Sequence, residues 1–120
     1  MTLSQTMEAS FAELEARLDT LVDLLTEAEE RHWQAVMRRA ATLVRHRNMN
    51  GASLVLSTFG AAPSFSALVL AAPLQSRNPA RHVILNHKLE HLRTSIFVVA
   101  AELASATTRG RLTGQLARVS

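Results

Sequence analysis

The segment His87-Lys88-Leu89-Glu90-His91 reads as H-x-x-E-H, a zinc-peptidase pattern. Its chemistry is specific. Two imidazoles one helical turn apart can share a metal ion, and the intervening glutamate can take a proton from metal-bound water. A catalytic zinc also needs a third protein ligand and a shaped pocket. Downstream the chain offers only Glu102 as a carboxylate. The surrounding periodicity also argues against a site. Leu85, Leu89, Leu92, Ile96, Val99 and Leu103 recur at steps of 4, 3, 4, 3 and 4, which places them within about 40° of one line on a helix. His87 then lies about 200° from Leu85 and His91 about 240°, both away from the core, and His82 diverges from His87 by about 140°. The expectation is two solvated histidines, with no metal, no cofactor and no catalytic residue. A metal-dependent hydrolase working through His87 and His91 is one alternative.

Other chemistries leave weaker traces. Gly60-Ala61-Ala62-Pro63-Ser64 lacks the Gly-Lys-Ser/Thr ending of a phosphate loop. Ser57, Ser64 and Ser66 have no spacing that ties them to a histidine. Cysteine is absent, which excludes disulfides, thiolate metal sites and a cysteine nucleophile. Arg38, Arg39, Arg45 and Arg47 form a basic patch, with Arg38 and Arg45 seven residues apart and hence on one helix face. Such a face could follow a phosphate backbone, which makes nucleic-acid binding a second alternative. Against it, aromatic residues are only 4% of the chain and tyrosine is absent.

Charge is segregated along the chain. Residues 1–30 hold eight acids and one base, whereas residues 31–120 hold twelve bases and two acids. The net charge is only +3. The segregation implies an acidic helix packed beside basic ones, or self-association.

The elements that must position these groups are helical. Phe11, Leu14, Leu18, Leu21, Leu25 and Ala28 step by 3, 4, 3, 4 and 3, a heptad-like stripe. No Gly or Pro interrupts residues 7–47. They form either one long helix or two that meet near Glu27 to Arg31. Asn48 to Gly51 is expected to end that stretch, since Asn and Gly adopt left-handed backbone readily. Residues 52–59 should make about two helical turns closed by Gly60. Gly60 to Ser64 is a turn, Ser64 caps a short helix from Phe65 to Ala71, and residues 73–79 form a loop. Asn78 and Pro79 open the last helix as N-cap and first residue. Gly110 and Gly114 suggest a frayed end. The expected architecture is a small all-α bundle of three to five helices, the long first and last running antiparallel. Residues 1–108 would form one domain and 109–120 a flexible tail. The longest apolar run, residues 67–74, contains Pro73 and is far short of the roughly 20 residues of a membrane span. The N-terminus has no basic stretch leading into an apolar one, so a cytoplasmic protein without signal peptide is expected.

Trp33, the single tryptophan, lies beside the stripe as a packing anchor whose N–H should find a carbonyl. Asn86, Glu90, Arg93 and Phe97 share a flank of the last helix. From there Arg93 can hold carbonyls of the Gly60 to Phe65 turn, with Glu90 as its neighbour.

Three stretches resemble an uncharacterised family of short all-helical bacterial proteins, a domain of unknown function. They are His32-Trp33, Phe59-Gly60 through Ser64-Phe65 to Leu68, and Asn86 through Leu89 and Leu92 to Arg93. That family carries a His-Trp pair, a Phe-Gly-Gly-Met-Gly-Ser-Phe-Asn-Asp-Leu-like segment and a late Asn…Leu…Leu-Arg helix. The similarity covers roughly residues 14–104. The chain departs at Ala61, Ala62, Pro63, Ser66 and Ala67, so the Asn-Asp pair is missing. The resemblance implies a helical fold and no established activity, with Trp33, Gly60, Ser64, Phe65, Asn86 and Arg93 as structural or partner positions. The function expected is that of a non-catalytic accessory protein working through protein–protein contacts, in the manner of an immunity partner. A homodimer with the first helix in its interface is expected as well.

Overall fold

The computed structural model describes residues 2–60, 65, 68–70 and 74–119. The protein is all-helical among them: α1 spans Thr2–Glu27, α2 Arg31–Arg45, α3 Met49–Ser57, the single turn α4 Leu74–Arg77, and α5 Pro79–Val119. The Pro73 to Pro79 loop therefore contains a helical turn, and the α5 backbone stays helical across Gly110 and Gly114. The Gly60–Ser64 turn, the Ser64 cap and Pro73 fall outside the described residues, Gly60 excepted.

Residues 7–47 form two helices, and the break explains itself in hydrogen bonds. Glu30 N–H donates to Leu25 O at 2.9 Å and Glu29 N–H to Thr26 O at 3.1 Å. Glu29 sits at φ 59°. This paired 6→1 and 5→2 pattern around a left-handed residue is a Schellman motif. The same motif ends α2. Asn48 N–H donates to Leu43 O and Arg47 N–H to Val44 O, both at 2.9 Å, with Arg47 at φ 56°. Glycine usually takes this position because a Cβ makes left-handed backbone unfavourable by about 1–2 kcal/mol. Here Glu and Arg take it. Across the first break, Gln34 Nε2 donates to Thr26 Oγ1 at 2.7 Å.

The stretch does end at Asn48, but Asn48 to Gly51 also begins the next helix. Asn48 is the N-cap of α3, its Oδ1 accepting from Asn50 N–H at 2.9 Å. Gly51 lies inside α3, fully buried against α2. A Cβ there would stand 2.7 Å from Val44 Cγ2, 2.9 Å from Val44 N and 3.0 Å from Ala40 O. With Ala40 and Ala41 buried on α2, small residues on both sides let the two backbones cross closely.

The core is one cluster. Phe11, Leu14, Leu18, Leu21, Leu24 and Leu25 of α1 are 0–5% exposed, and Leu85, Leu89, Ile96, Val99, Ala100 and Leu103 of α5 meet them with α2 and α3 residues. The α1 stripe is therefore covered by its own chain along its whole length, and its exposure gives no ground for a dimer through that helix. The charge segregation is also resolved in cis. Arg47 pairs with Glu8 at 2.8 Å and Glu15 at 2.9 Å, Arg45 reaches Glu15 and Asp19, and Arg81 of α5 pairs with Glu27 at 2.7 Å. The hydrogen bond from Arg47 holds the Glu15 carboxyl below the usual carboxylate range, against a smaller opposing push from desolvation. Glu15 is thus held in its charged form against Arg47. Arg47 also donates to Val44 O at 3.1 Å, so its side chain braces the turn in which its own backbone is strained.

Between α3 and α4 the chain crosses α5 as a strap. The expected helix from Phe65 to Ala71 does not run on through the described residues: Phe65 lies in a 3₁₀ turn, with Leu68 N–H donating to Phe65 O at 3.2 Å, but Leu68 and Val69 have no regular structure and Leu70 lies in a turn. The reason is that α5 side chains take over the backbone bonding. Asn86 Oδ1 accepts from Leu70 N–H at 2.7 Å, and Asn86 Nδ2 donates to Leu70 O at 3.0 Å and His82 O at 2.8 Å. Arg93 Nη1 donates to Phe65 O and Leu68 O, each at 3.0 Å. Phe65 and Leu70 are driven to full burial on either side of these ties.

Candidate binding face of the last helix

The helix α5 presents three surfaces with different chemistry. The first is the strap side, where Arg93 pairs with Glu90 while holding two carbonyls. The carboxylate at the centre of the H-x-x-E-H pattern is thus directed to a structural arginine. Next to it Trp33, Phe65, Phe59 and Phe97 stack in sequence, with ring centroids 5.3, 5.8 and 5.1 Å apart. Trp33 is half-buried and packs on Phe65, but its indole N–H finds no carbonyl among the described residues; ring contact, with His32 at 4.9 Å on one side, is what anchors it. Gly60 has no left-handed backbone, and a Cβ there would make only an ordinary contact at 3.5 Å to Ser57 O. Its position does not require glycine. Ser64 lies outside the described residues.

The second surface is a groove of about 600 Å³ between α1 and α5, lined by Thr20, Asp23, Leu24, Glu27, His87, Lys88, His91 and Leu92. The histidines are exposed, as the wheel indicates, yet α1 supplies the wall that the sequence does not reveal. Among the described residues, no three His, Asp or Glu side chains come together as a metal-holding group. Glu27 is engaged by Arg81. Replacing His87 and His91 together with alanine is expected to leave thermal stability within about 0.5 kcal/mol of wild type, as for surface changes generally. Thermal melts with and without added zinc check this. Zinc that co-purifies at one equivalent and disappears with the double variant would show that the groove is a metal centre.

The third surface faces outward. Val83, Ile84, Phe97 and Val98 are 64%, 54%, 42% and 48% exposed, large apolar side chains on one helix. Single exposed apolar residues are ordinary on a protein surface; here four lie on one helix. Phe59, Glu90, Arg93, Thr94, Phe97 and Val98 line a further hollow of about 400 Å³ at its edge.

The arginine patch on α2 divides. Arg45 and Arg47 are held by α1 carboxylates, whereas Arg38 and Arg39 are exposed and form no ion pair among the described residues. A phosphate approaching all four would have to compete with Glu8, Glu15 and Asp19. No helix among the described residues is long and apolar enough to cross a membrane. No protein family, curated protein or solved structure matches the chain.

Proposed function

We propose that this chain is a non-catalytic binding protein whose working surface is the outward face of α5. The observation that carries the reading is the exposure of Val83, Ile84, Phe97 and Val98. An isolated soluble domain has no use for such a row, and the apolar core of a protein–protein interface is made from one. The reading extends to an accessory, immunity-type partner in the cytoplasm and to kinship with the family of short helical bacterial proteins; His32-Trp33, Phe59-Gly60 and Asn86 to Arg93 support the kinship. The Arg81–Glu27 pair, between the start of α5 and the end of α1, supports an antiparallel first and last helix.

The test is photo-crosslinking in the cells that make the protein. A benzophenone side chain at position 84 or 98 should yield defined protein adducts, while the same group at the exposed Arg39 position should not. Adducts at neither 84 nor 98 would remove the reading.

A further inference from the structure

The exposed residues of α2 repeat at intervals of seven. Arg31, Arg38 and Arg45 form one row, and His32, Arg39 and the C-cap His46 form a second. The small exposed residues Ala35 and Thr42 lie between the rows. On a helix the rows run side by side, about 100° apart, for about 21 Å. The helix contains no Asp or Glu. It packs on α1 and α3, so this face stands at a corner of the bundle, on a different helix from the apolar row of α5.

The ion pairs leave most of the face open. Arg47 is taken by Glu8 and Glu15 of α1 and belongs to neither row. Arg45 touches Glu15 and Asp19 only at 3.6 and 3.4 Å, and such loose contacts in water hold a side chain weakly. Arg31, Arg38 and Arg39 are exposed and form no ion pair among the described residues. Arginine stays charged at every physiological pH. The nearest acids bound the face at its ends, Glu29 and Glu30 before Arg31 and the α1 carboxylates beside Arg45. The open positive surface is therefore centred on Arg38 and Arg39, not on the Arg45 to Arg47 end of the patch.

We propose that this face binds the phosphate backbone of double-stranded DNA, with α2 in the major groove and one row toward each strand. The complement of an unbroken cationic line is an unbroken anionic one, and duplex DNA carries a charge for every 1.7 Å or so of its axis. Its major groove, about 12 Å wide, admits an α-helix, whereas the deep, narrow major groove of duplex RNA does not. Single strands are held by stacking on aromatic rings. The only Phe, Tyr or Trp of α2 is Trp33, and it turns inward onto Phe65 at 5.3 Å. Between the rows, Ala35 and Thr42 are short, and the Thr42 hydroxyl already donates to Arg38 O at 3.1 Å. Contacts to phosphate without contacts to base edges position a protein but read no sequence. Binding is thus expected to show little sequence preference.

The test is fluorescence anisotropy of a labelled DNA duplex of mixed sequence, titrated with the full chain between about 50 and 200 mM salt. Each neutralised phosphate contributes about −0.9 to the slope of log K against log salt, so three free arginines should give about −3, and the affinity should fall about 40-fold across that range. Arg38→Gln with Arg39→Gln should bring the slope to about −1 and weaken binding at least tenfold at the lower salt, with the helical spectrum kept. Arg17→Gln with Arg77→Gln removes the same charge elsewhere and should keep the slope. No binding at 50 mM salt would overturn the proposal. Equal losses from the two double variants would also overturn it, since net charge and not this face would then be responsible. Duplex RNA bound as tightly as DNA would overturn the placement in the major groove. Poly-glutamate bound more tightly than DNA would make an acidic protein the occupant. None of these outcomes bears on the α5 face, which the photo-adducts at positions 84 and 98 test separately.

Discussion

Leu18→Glu combined with Leu25→Glu should unfold the protein rather than alter its assembly. Both leucines are fully buried in the single chain. Truncating a buried leucine already costs about 2–5 kcal/mol, and each glutamate adds a carboxylate that must be desolvated or protonated in the core. The sum for two sites matches or exceeds the roughly 5–15 kcal/mol that holds a domain of this kind together. Circular dichroism at 222 nm should show most of the helical signal lost and no cooperative thermal transition. A folded, helical monomer would mean that part of the α1 stripe is normally covered by something other than its own chain, as the regular heptad pattern alone would suggest.

Gly51→Val should be the most damaging change of a single residue outside the leucines, with Gly51→Ala as its milder form. Two effects oppose each other in the alanine variant. Replacing glycine inside a helix gains about 0.5–1 kcal/mol. The new Cβ, however, stands 2.9 Å from Val44 N and 3.0 Å from Ala40 O. Those are backbone atoms and cannot rotate away, so α2 and α3 must separate. Overpacking of this kind costs about 1–3 kcal/mol, and it wins. The urea midpoint should fall for Gly51→Ala and fall much further for Gly51→Val, whose branched side chain adds two methyl groups to the same gap. A midpoint that rises for Gly51→Ala would show that the two helices do not cross so closely.

Much of the architecture is legible in the residues. The 3-4 periodicity of Phe11 to Leu25 and of Leu85 to Leu103 marks the two stripes that form the core, and Asn78-Pro79 marks the start of α5, where Asn78 Oδ1 accepts from Arg81 N–H at 3.2 Å. The orientation of His87 and His91 follows from the same wheel. What sequence does not reveal has physical reasons. Helix ends are read from glycine, and both Schellman turns here use Glu29 and Arg47 instead. Asn48-Met49-Asn50-Gly51 contains stop signals, but asparagine caps as well as it terminates, and Gly51 serves a close crossing that only the fold creates. The strap from Phe65 to Leu70 has helical composition; its backbone is claimed by Asn86 and Arg93, sixteen and twenty-five or more residues away. Arg93 was recognisable as a carbonyl holder because it flanks the stripe, whereas its second acceptor, Leu68, depends on the strap being unwound. The α1 wall of the groove beside His87 and His91 is likewise a property of packing, since Asp23 and Glu27 are about 60 residues distant in the chain.

The ties between strap and α5 carry a consequence for how the molecule opens. Phe65, Leu68 and Leu70 have their polar backbone groups bonded to side chains of Asn86 and Arg93, apart from the bonds of Phe65 N–H to Thr58 O and of Leu68 N–H to Phe65 O. The strap therefore has little reason to stay ordered once α5 leaves, and α5 cannot leave without exposing it. The helical hairpins α1–α2 and α2–α3 are joined by turns of a few residues and close over short distances in the chain, so they cost little loop entropy to form. Strap and last helix instead make one cooperative unit. The protein is in this sense a three-helix platform with a clasp. Its outward face exists only while the clasp is shut, and a partner on that face would add its binding energy to the closed state.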